Sequence, residues 1–387
     1  MLLSRPKFAL IGHPVDLTLF RSYINFLKPG KAFRDELILK LFEWTPAYKV
    51  KDISDISFDG QITADGIILM VPFLPEMRDI RLKEVTSKIE QAIAIAAHEH
   101  CTIAALGGFT SIVLQGQEKN LADKYGIALT SGNTLTAALI IRSILELCER
   151  FNISLADQTL AIIGASGDIG SGCAQYFCDK AGSLILTARG ILPLEQLQKK
   201  LYARATSTIR IATENDTALS QASIFILATS AYGTIFNQND FKPGSIVCDA
   251  SAPQNVQFNG SLRDDVFLYH GGIAEIAANL QPDFDVGLAG KKDFYGCQLE
   301  GILISLDPSL PCSWGRGNIN PEKIERYLAA IAAYPAIKIA WGIRDKTYSE
   351  DEMEDFSEIL EAERKKEKLY SAEALRRRSG QTLSALR

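Results

Sequence analysis

The segment Leu160-Ala161-Ile162-Ile163 followed by Gly164-Ala165-Ser166-Gly167-Asp168-Ile169-Gly170 constrains the fold more than any other part of the chain. An apolar run leads straight into a GxxGxxG loop, the loop opens a helix, and the next strand begins at Ser183, which is the context a dinucleotide-binding turn requires. The first glycine permits the tight turn, the second lets backbone approach a pyrophosphate, and the third allows close helix–sheet contact. The helix N-terminus adds N–H donors and positive potential. Residues 164–170 are therefore the candidate cofactor loop, with Asp168 a first-turn acid complementing the helix dipole. A glycine-rich turn without a ligand is the plain alternative.

Around this loop, residues 159–290 keep a strand–helix rhythm, with apolar runs at 160–163, 183–187, 223–228, 245–249 and 266–270. Runs without alternation fit a parallel sheet covered on both faces, and right-handed crossovers make a doubly wound α/β sheet the economical topology. The second strand ends Leu186-Thr187-Ala188-Arg189, with no acid where NAD-selective folds place one. The Thr187 hydroxyl and the Arg189 guanidinium suit a 2′-phosphate instead, so the expected cofactor is NADP(H). Arg189 as a surface residue ending a strand is the competing reading.

Before the loop, strands are expected at Lys7–Ile11 and Gly66–Val71, a helix at Leu82–Glu99, and a further strand at Thr102–Leu106 ending in Gly107-Gly108. This is α/β layering again. From Thr134 to about Phe151, Leu135, Ala138, Ile141, Leu145 and Cys148 recur at helical steps with Arg142, Glu146 and Glu149 between them. That pattern predicts one packed and one wet face. Helices are also expected at Cys297–Leu306 and Pro321–Ala333.

The expected division is an N-terminal α/β substrate domain (1–133), a linking helix (134–151), a Rossmann-type domain (152–290) and C-terminal helices (291–343) that return to the first domain. Residues 344–387 carry an acidic block, Glu350 to Glu363, and the basic runs Arg364-Lys365-Lys366 and Arg376-Arg377-Arg378. They read as a solvated or partly helical tail outside the core.

Lys and Arg total 41 against 46 Asp and Glu, a net charge of −5, so nothing favours nucleic acid as a partner. No apolar run reaches the ~20 residues that span a bilayer. No signal-peptide pattern precedes the first strand. The seven cysteines lack CxxC spacing, which argues against a disulfide framework or a zinc knuckle. The His98-Glu99-His100 triplet has no partner cluster, and no metal is expected. The chain reads as cytoplasmic with free thiols.

Taken together, FALIGH (8–13), FLPEM (73–77), ALGGFTSI (105–112), TSGNTLTA (130–137), IIGASGDIGSG (162–172), LILTAR (184–189), DFYGCQLEG (293–301) and SWGRGNI (313–319) resemble the long-chain acyl-[acyl-carrier-protein] reductases. The resemblance runs in order across nearly the whole folded chain. It implies NADPH-dependent reduction of fatty acyl thioesters, on acyl-carrier protein or coenzyme A, to fatty aldehydes through an acyl-cysteine. The matching cysteine is Cys297. An enzyme that consumes the aldehyde is a further partner to expect.

Transfer to an enzyme thiol splits a difficult reduction into thioester exchange and hydride delivery. Cys297 follows Gly296 at the start of a helix, whose N-terminus is expected to lower the thiol pKa. Cys312, in a loop beside SWGR, is the competing nucleophile, and the other five cysteines read as buried hydrophobes. Donors for the oxyanion are expected from Ser111 or Thr110 and from Asn133. Asn133 and Thr134 also read as helix caps, and Ser111 as a turn hydroxyl. His13 and His270 are proton carriers or structural histidines. Cutting the chain after Gly342 is expected to keep most activity. Two other functions fit less well: a shikimate-dehydrogenase-like enzyme, which would carry an acid just after the Asn-Thr pair, and a non-catalytic NADPH sensor, which needs no acylatable thiol.

Overall fold

The computed structural model describes residues 5–366 except 15, 18–19, 22–33, 59, 61–62, 76–80, 232–234, 252, 259, 277–287 and 316. Two twisted sheets share one long helix. The first sheet has the order β2-β3-β1-β4-β5, built from β1 (Lys7–Gly12), β2 (Tyr48–Ile56), β3 (Ala64–Met70), β4 (Ile103–Leu106) and β5 (Ala128–Thr130). All neighbours are parallel except β2, which runs antiparallel to β3 at the edge. β1 and β4 are apolar on both faces because helices cover both. β2 is an edge strand with two register irregularities and mostly wet side chains, so its sequence carries no apolar run.

The second sheet is wholly parallel. Its strands are β6 (Thr159–Ile163), β7 (Ser183–Thr187), β8 (Thr208–Ala212), β9 (Ile224–Leu227), β10 (Ser245–Asp249) and β11 (Val266–His270), in the order β8-β7-β6-β9-β10-β11. This is the doubly wound Rossmann arrangement, with its switch point between β6 and β9. Five of its strands match the expected ones to within a residue at each end, and the sixth, the edge strand β8, is not among those expected because only Ile209 in it is buried.

The helices are α1 (Asp35–Trp44), α2 (Leu82–His98), α3 (Phe109–Val113), α4 (Glu118–Tyr125), α5 (Asn133–Arg150), α6 (Asp168–Phe177), α7 (Ile191–Leu201), α8 (Asp216–Gln221), α9 (Gly296–Leu306), α10 (Pro321–Ala333) and α11 (350–366). One apolar cluster runs from Phe8 and Leu10 of β1 through α5 to Leu160 and Ile162 of β6. The expectation that α5 has a wet face holds only for its last turns. Leu139 and Ile140 are as buried as Leu135 and Ile141, because α5 packs against α6, α9 and α10 at once. α9 lies across β1, β3, β4 and β5, so the chain returns to the first sheet after leaving the second. Its Gly301 meets β4 so closely that a Cβ there would stand 2.7 Å from that of Ala105. A small antiparallel sheet, order β13-β12-β14, pins the start of α9. It consists of β12 (Ile273–Ile276), β13 (Asp293–Tyr295) and β14 (Ile337–Ile339).

The charged C-terminal segment departs from expectation up to residue 366. α11 buries Met353, Phe356 and Leu360 in the main core, and Arg364 donates to the carbonyls of Phe151 and Asn152. Met353, Phe356 and Leu360 recur at steps of three and four, a helical stripe hidden among acidic neighbours. The Arg376-Arg377-Arg378 run lies outside the described residues. Among the described residues, no helix is long and apolar enough to cross a membrane.

Candidate active site

The two sheets face each other across a cleft of about 290 Å³. One wall is the end of β1 and the following loops, with His13, Gly108 and Ser111. The other is the C-terminal edge of the Rossmann sheet, with Gly167, Asp168, Thr229, Ala250 and His270. Ser131, Asn133, Cys297 and Gln298 form the junction.

Cys297 is the second residue of α9 and is partly open to the cleft. Close packing fixes its place. Gly132, at φ +70°, lies against its backbone, where a Cβ would stand 2.1 Å from the Cys297 Cα. A Cβ at Gly296 would stand 3.0 Å from the Gly272 carbonyl and the Thr136 Cα. The expected lowering of the thiol pKa is overturned. Burial pushes the Cys297 thiol above its ordinary value, and the N–H groups of Gly108 and Gln298 pull it down only in part. Desolvation outweighs the helix terminus because no cation stands among the groups that shift it. Cys312 is also pushed up by burial, to about 11, and does not line the cleft. Cys101, Cys148, Cys173, Cys178 and Cys248 are buried.

Glu300 on α9, Thr130 on β5 and Ser313 in the loop after α9 hold this junction together. The Glu300 carboxylate accepts from the Thr130 hydroxyl, from the Ser313 hydroxyl at 2.7 Å and from the Leu135 N–H at 2.8 Å. Burial pushes its carboxyl up against those bonds. Ser313 also takes the Thr134 N–H at 3.0 Å. Sequence reasoning missed this network, which joins residues up to 183 positions apart. Glu300 stands within DFYGCQLEG, but nothing local marks that acid as buried.

The expected oxyanion donors are occupied. Ser111 donates to the Gly108 carbonyl at 3.0 Å and Thr110 to Gly107 at 2.8 Å. The Asn133 side-chain amide donates to Asp168 at 3.0 Å. Asp168 also accepts from the Gly317 N–H at 3.1 Å, so the first residue of α6 ties the cofactor loop to α5 and to the loop before α10. The two histidines differ. His13 donates from Nδ1 to the Pro14 carbonyl at 2.8 Å and accepts the Phe109 N–H on Nε2 at 3.0 Å. Both nitrogens are used, and burial pushes the ring down to about 4, so it is a neutral structural histidine. His270, pushed down to about 4 by burial, makes an edge contact with Tyr295 and lines the cleft.

The cofactor loop is shaped as its glycines require. Gly164 sits at φ +83°, and a Cβ there would stand 2.5 Å from the Ala228 carbonyl oxygen. A Cβ on Gly170 would stand 2.5 Å from the Gly164 oxygen. The loop thereby brings the N-terminus of α6 to the switch point of the sheet, a fit for a pyrophosphate. Ala165 is buried, while Ser166 and Ile169 are half-buried along the turn. Thr187 differs from expectation. Its side chain is buried and its hydroxyl donates to Asn215 at 2.8 Å, so it fixes the strand end. Arg189 is exposed just beyond, with no ion pair among the described residues, where a 2′-phosphate would be met. No group of three or more His, Cys, Asp or Glu suited to a metal occurs among the described residues. Glu99 of the HEH triplet pairs with Lys7 and Lys49.

In sheets of this order a dinucleotide lies across the switch point, and here the cleft runs on from that point to a cysteine; the chain is an NADP(H)-dependent reductase. Residues 146–271 match the family described as Shikimate / quinate 5-dehydrogenase, a match that covers the nucleotide-binding sheet. Over 338 residues the chain is 28% identical to a long-chain acyl-[acyl-carrier-protein] reductase from Synechococcus elongatus, covering 82% of this chain and 94% of that one. That similarity agrees with the resemblance of its motifs. It is also 25% identical to the aminotransferase PigE of Serratia sp., over 78% of this chain but 36% of that longer one. Among solved structures, the nucleotide-binding domain of glutamyl-tRNA reductase from Thermoplasma volcanium aligns with 34% of this chain and 83% of its own, at 18% identity and TM-score 0.26.

Proposed function

We propose that the chain reduces long-chain acyl thioesters, presented by acyl-carrier protein or coenzyme A, to aldehydes through an acyl group carried on Cys297. The observation that carries this reading is the shared cleft. The one cysteine that lines it stands at the head of α9, and the same cleft is walled by the cofactor loop. Similarity to the Synechococcus elongatus reductase over most of both chains supports the substrate class. Bound NADPH would supply the hydride. The chain's own residues place the sulfur by the Gly132 and Gly296 contacts, hold the loop 130–135 through Glu300, and tether the cofactor loop through Asn133 and Asp168. Aldehydes are reactive, so an enzyme that consumes the product is a natural partner.

The experiment is intact-protein mass measurement after mixing with a long-chain acyl thioester and no NADPH. An acyl adduct should form on the wild-type protein and be discharged as aldehyde when NADPH is added. Cys297→Ala should form none while still binding NADPH, since the cofactor loop is a separate element. A protein that binds NADPH but never gains the adduct would instead fit the sensor reading. The shikimate-dehydrogenase-like reading has less support, because its family match stops at residue 271 and Leu135 and Thr136 follow Asn133-Thr134.

A further inference from the structure

The Ser131 hydroxyl is the one described buried side-chain polar atom without a hydrogen-bond partner. It is 4% exposed and lines the cleft. Every hydroxyl around it is committed. Thr130 donates to Glu300, Ser313 bonds Glu300 and Thr134, and Thr136 donates to the Gly132 carbonyl at 2.8 Å. The Ser131 backbone is itself held, its N–H donating to the Ser313 carbonyl at 2.9 Å. Its neighbour Gly132 lies against the Cys297 backbone, and Ser131 and Cys297 line the same cleft. A buried hydroxyl left unpaired costs stability, and such groups call for a functional explanation.

We propose that Ser131 is a catalytic hydrogen-bond donor to the carbonyl oxygen of the acyl group, a role that rests on the acyl-thioester reading above. Attack by the Cys297 sulfur on the thioester carbon forms a C–S bond and moves the carbonyl π pair onto oxygen. Collapse re-forms the carbonyl and expels the carrier thiol, which takes the proton Cys297 gave up. Bound NADPH would supply a hydride to the same carbon, and the negative charge would return to the same oxygen. Collapse releases the aldehyde and the Cys297 thiolate, with the nicotinamide oxidised. One donor held in the cleft that Cys297 lines serves both steps, and a pre-oriented donor is effective because it needs no rearrangement as charge develops.

The test uses the full chain with a long-chain acyl-CoA as probe and compares wild type, Ser131→Ala and Ser131→Thr. Single-turnover acylation without NADPH and discharge of the adduct with NADPH are timed separately. Ser131→Ala should slow both by a similar factor, on the order of 10²-fold. Its NADPH affinity should stay within about twofold and its thermal midpoint should not fall, since no hydrogen bond is lost. Ser131→Thr, which keeps the hydroxyl, should recover part of both rates. Ser131→Ala with wild-type rates in both steps overturns the assignment, as does a rate loss matched by a lower midpoint and not relieved in Ser131→Thr. Failure of the wild-type chain to form an adduct overturns the acyl-thioester reading and this role with it, whereas failure confined to the variant comparison leaves that reading standing.

Discussion

Gly132 and Cys297 touch backbone to backbone: a methyl group on Gly132 would stand 2.1 Å from the Cys297 Cα and 2.2 Å from its carbonyl oxygen. Gly132 also sits at φ +70°, a conformation that side chains disfavour. Gly132→Ala should therefore push the head of α9 away from the cleft, costing about 1–3 kcal/mol of stability. A displaced sulfur should lower acyl-adduct formation about a hundredfold, with NADPH binding retained. Denaturant unfolding and adduct timing on the same preparation check both parts. An alanine variant that acylates normally would mean that the contact does not position the sulfur.

Burial holds the Cys297 thiol above its ordinary value, so the thiolate is scarce at neutral pH and grows as pH rises. Adduct formation without NADPH should climb about tenfold per pH unit from pH 6 to 8. A cysteine already activated at rest would instead give a level rate across that range. Stopped-flow acylation across that range decides between the two, and a level profile would show that the thiolate is present before substrate binds.

Arg189 stands exposed past the end of β7 while Thr187 is turned to Asn215, which leaves the guanidinium as the group predicted to discriminate for the 2′-phosphate. Arg189→Glu should weaken NADPH by about tenfold or more beyond any change in NADH, because repulsion replaces pairing. Titration of both nucleotides against the variant measures this directly. Equal losses would move phosphate recognition elsewhere.

Phe356 of α11 packs its ring against Phe151 and Phe267, each at a centroid distance of 5.3 Å. The expectation that a chain ending at Gly342 stays active is thereby reversed. Removing 343–387 strips Met353, Phe356 and Leu360 from the core, and Phe356→Ala alone should cost about 3 kcal/mol or more. A chain ending at residue 366 keeps all of α11 and serves as the comparison. Calorimetry on the two truncations separates the outcomes, and equal midpoints would show α11 to be dispensable.

The parts of this fold that could be read from sequence are those where burial is local and two-sided. Strands such as Leu160–Ile163 and Val266–His270 are apolar throughout because helices cover both faces, and the glycine loop announces its own geometry. The edge strand Tyr48–Ile56 was invisible, since only one face is dry and bulges break its alternation. α11 was misread because charge density conceals a stripe of only three apolar residues. At the site, the place of Cys297 at the head of a helix was legible from the motif around it, but its electrostatic state was not. The helix start is visible in sequence, whereas the burial that outweighs it comes from packing that the fold brings there, the Gly132 backbone among it. Ser131 and Glu300 were likewise beyond reach, because whether a hydroxyl or a carboxyl has partners depends on residues more than a hundred positions away.

The burial of α5 on all sides in its N-terminal half limits how such a chain can be rearranged. Leu135, Leu139, Ile140 and Ile141 belong to the same apolar cluster as strands of both sheets. The nucleotide-binding half is therefore not a detachable module. Replacing it with a homologous half joined near residue 150 would set a foreign surface against a helix shaped for this one, leaving voids or clashes in a close-packed interior. A productive crossover has to carry α5 together with α6, α9 and α10. The half-chains inherit one another's volumes, and recombination between relatives is confined to the loops outside that bundle.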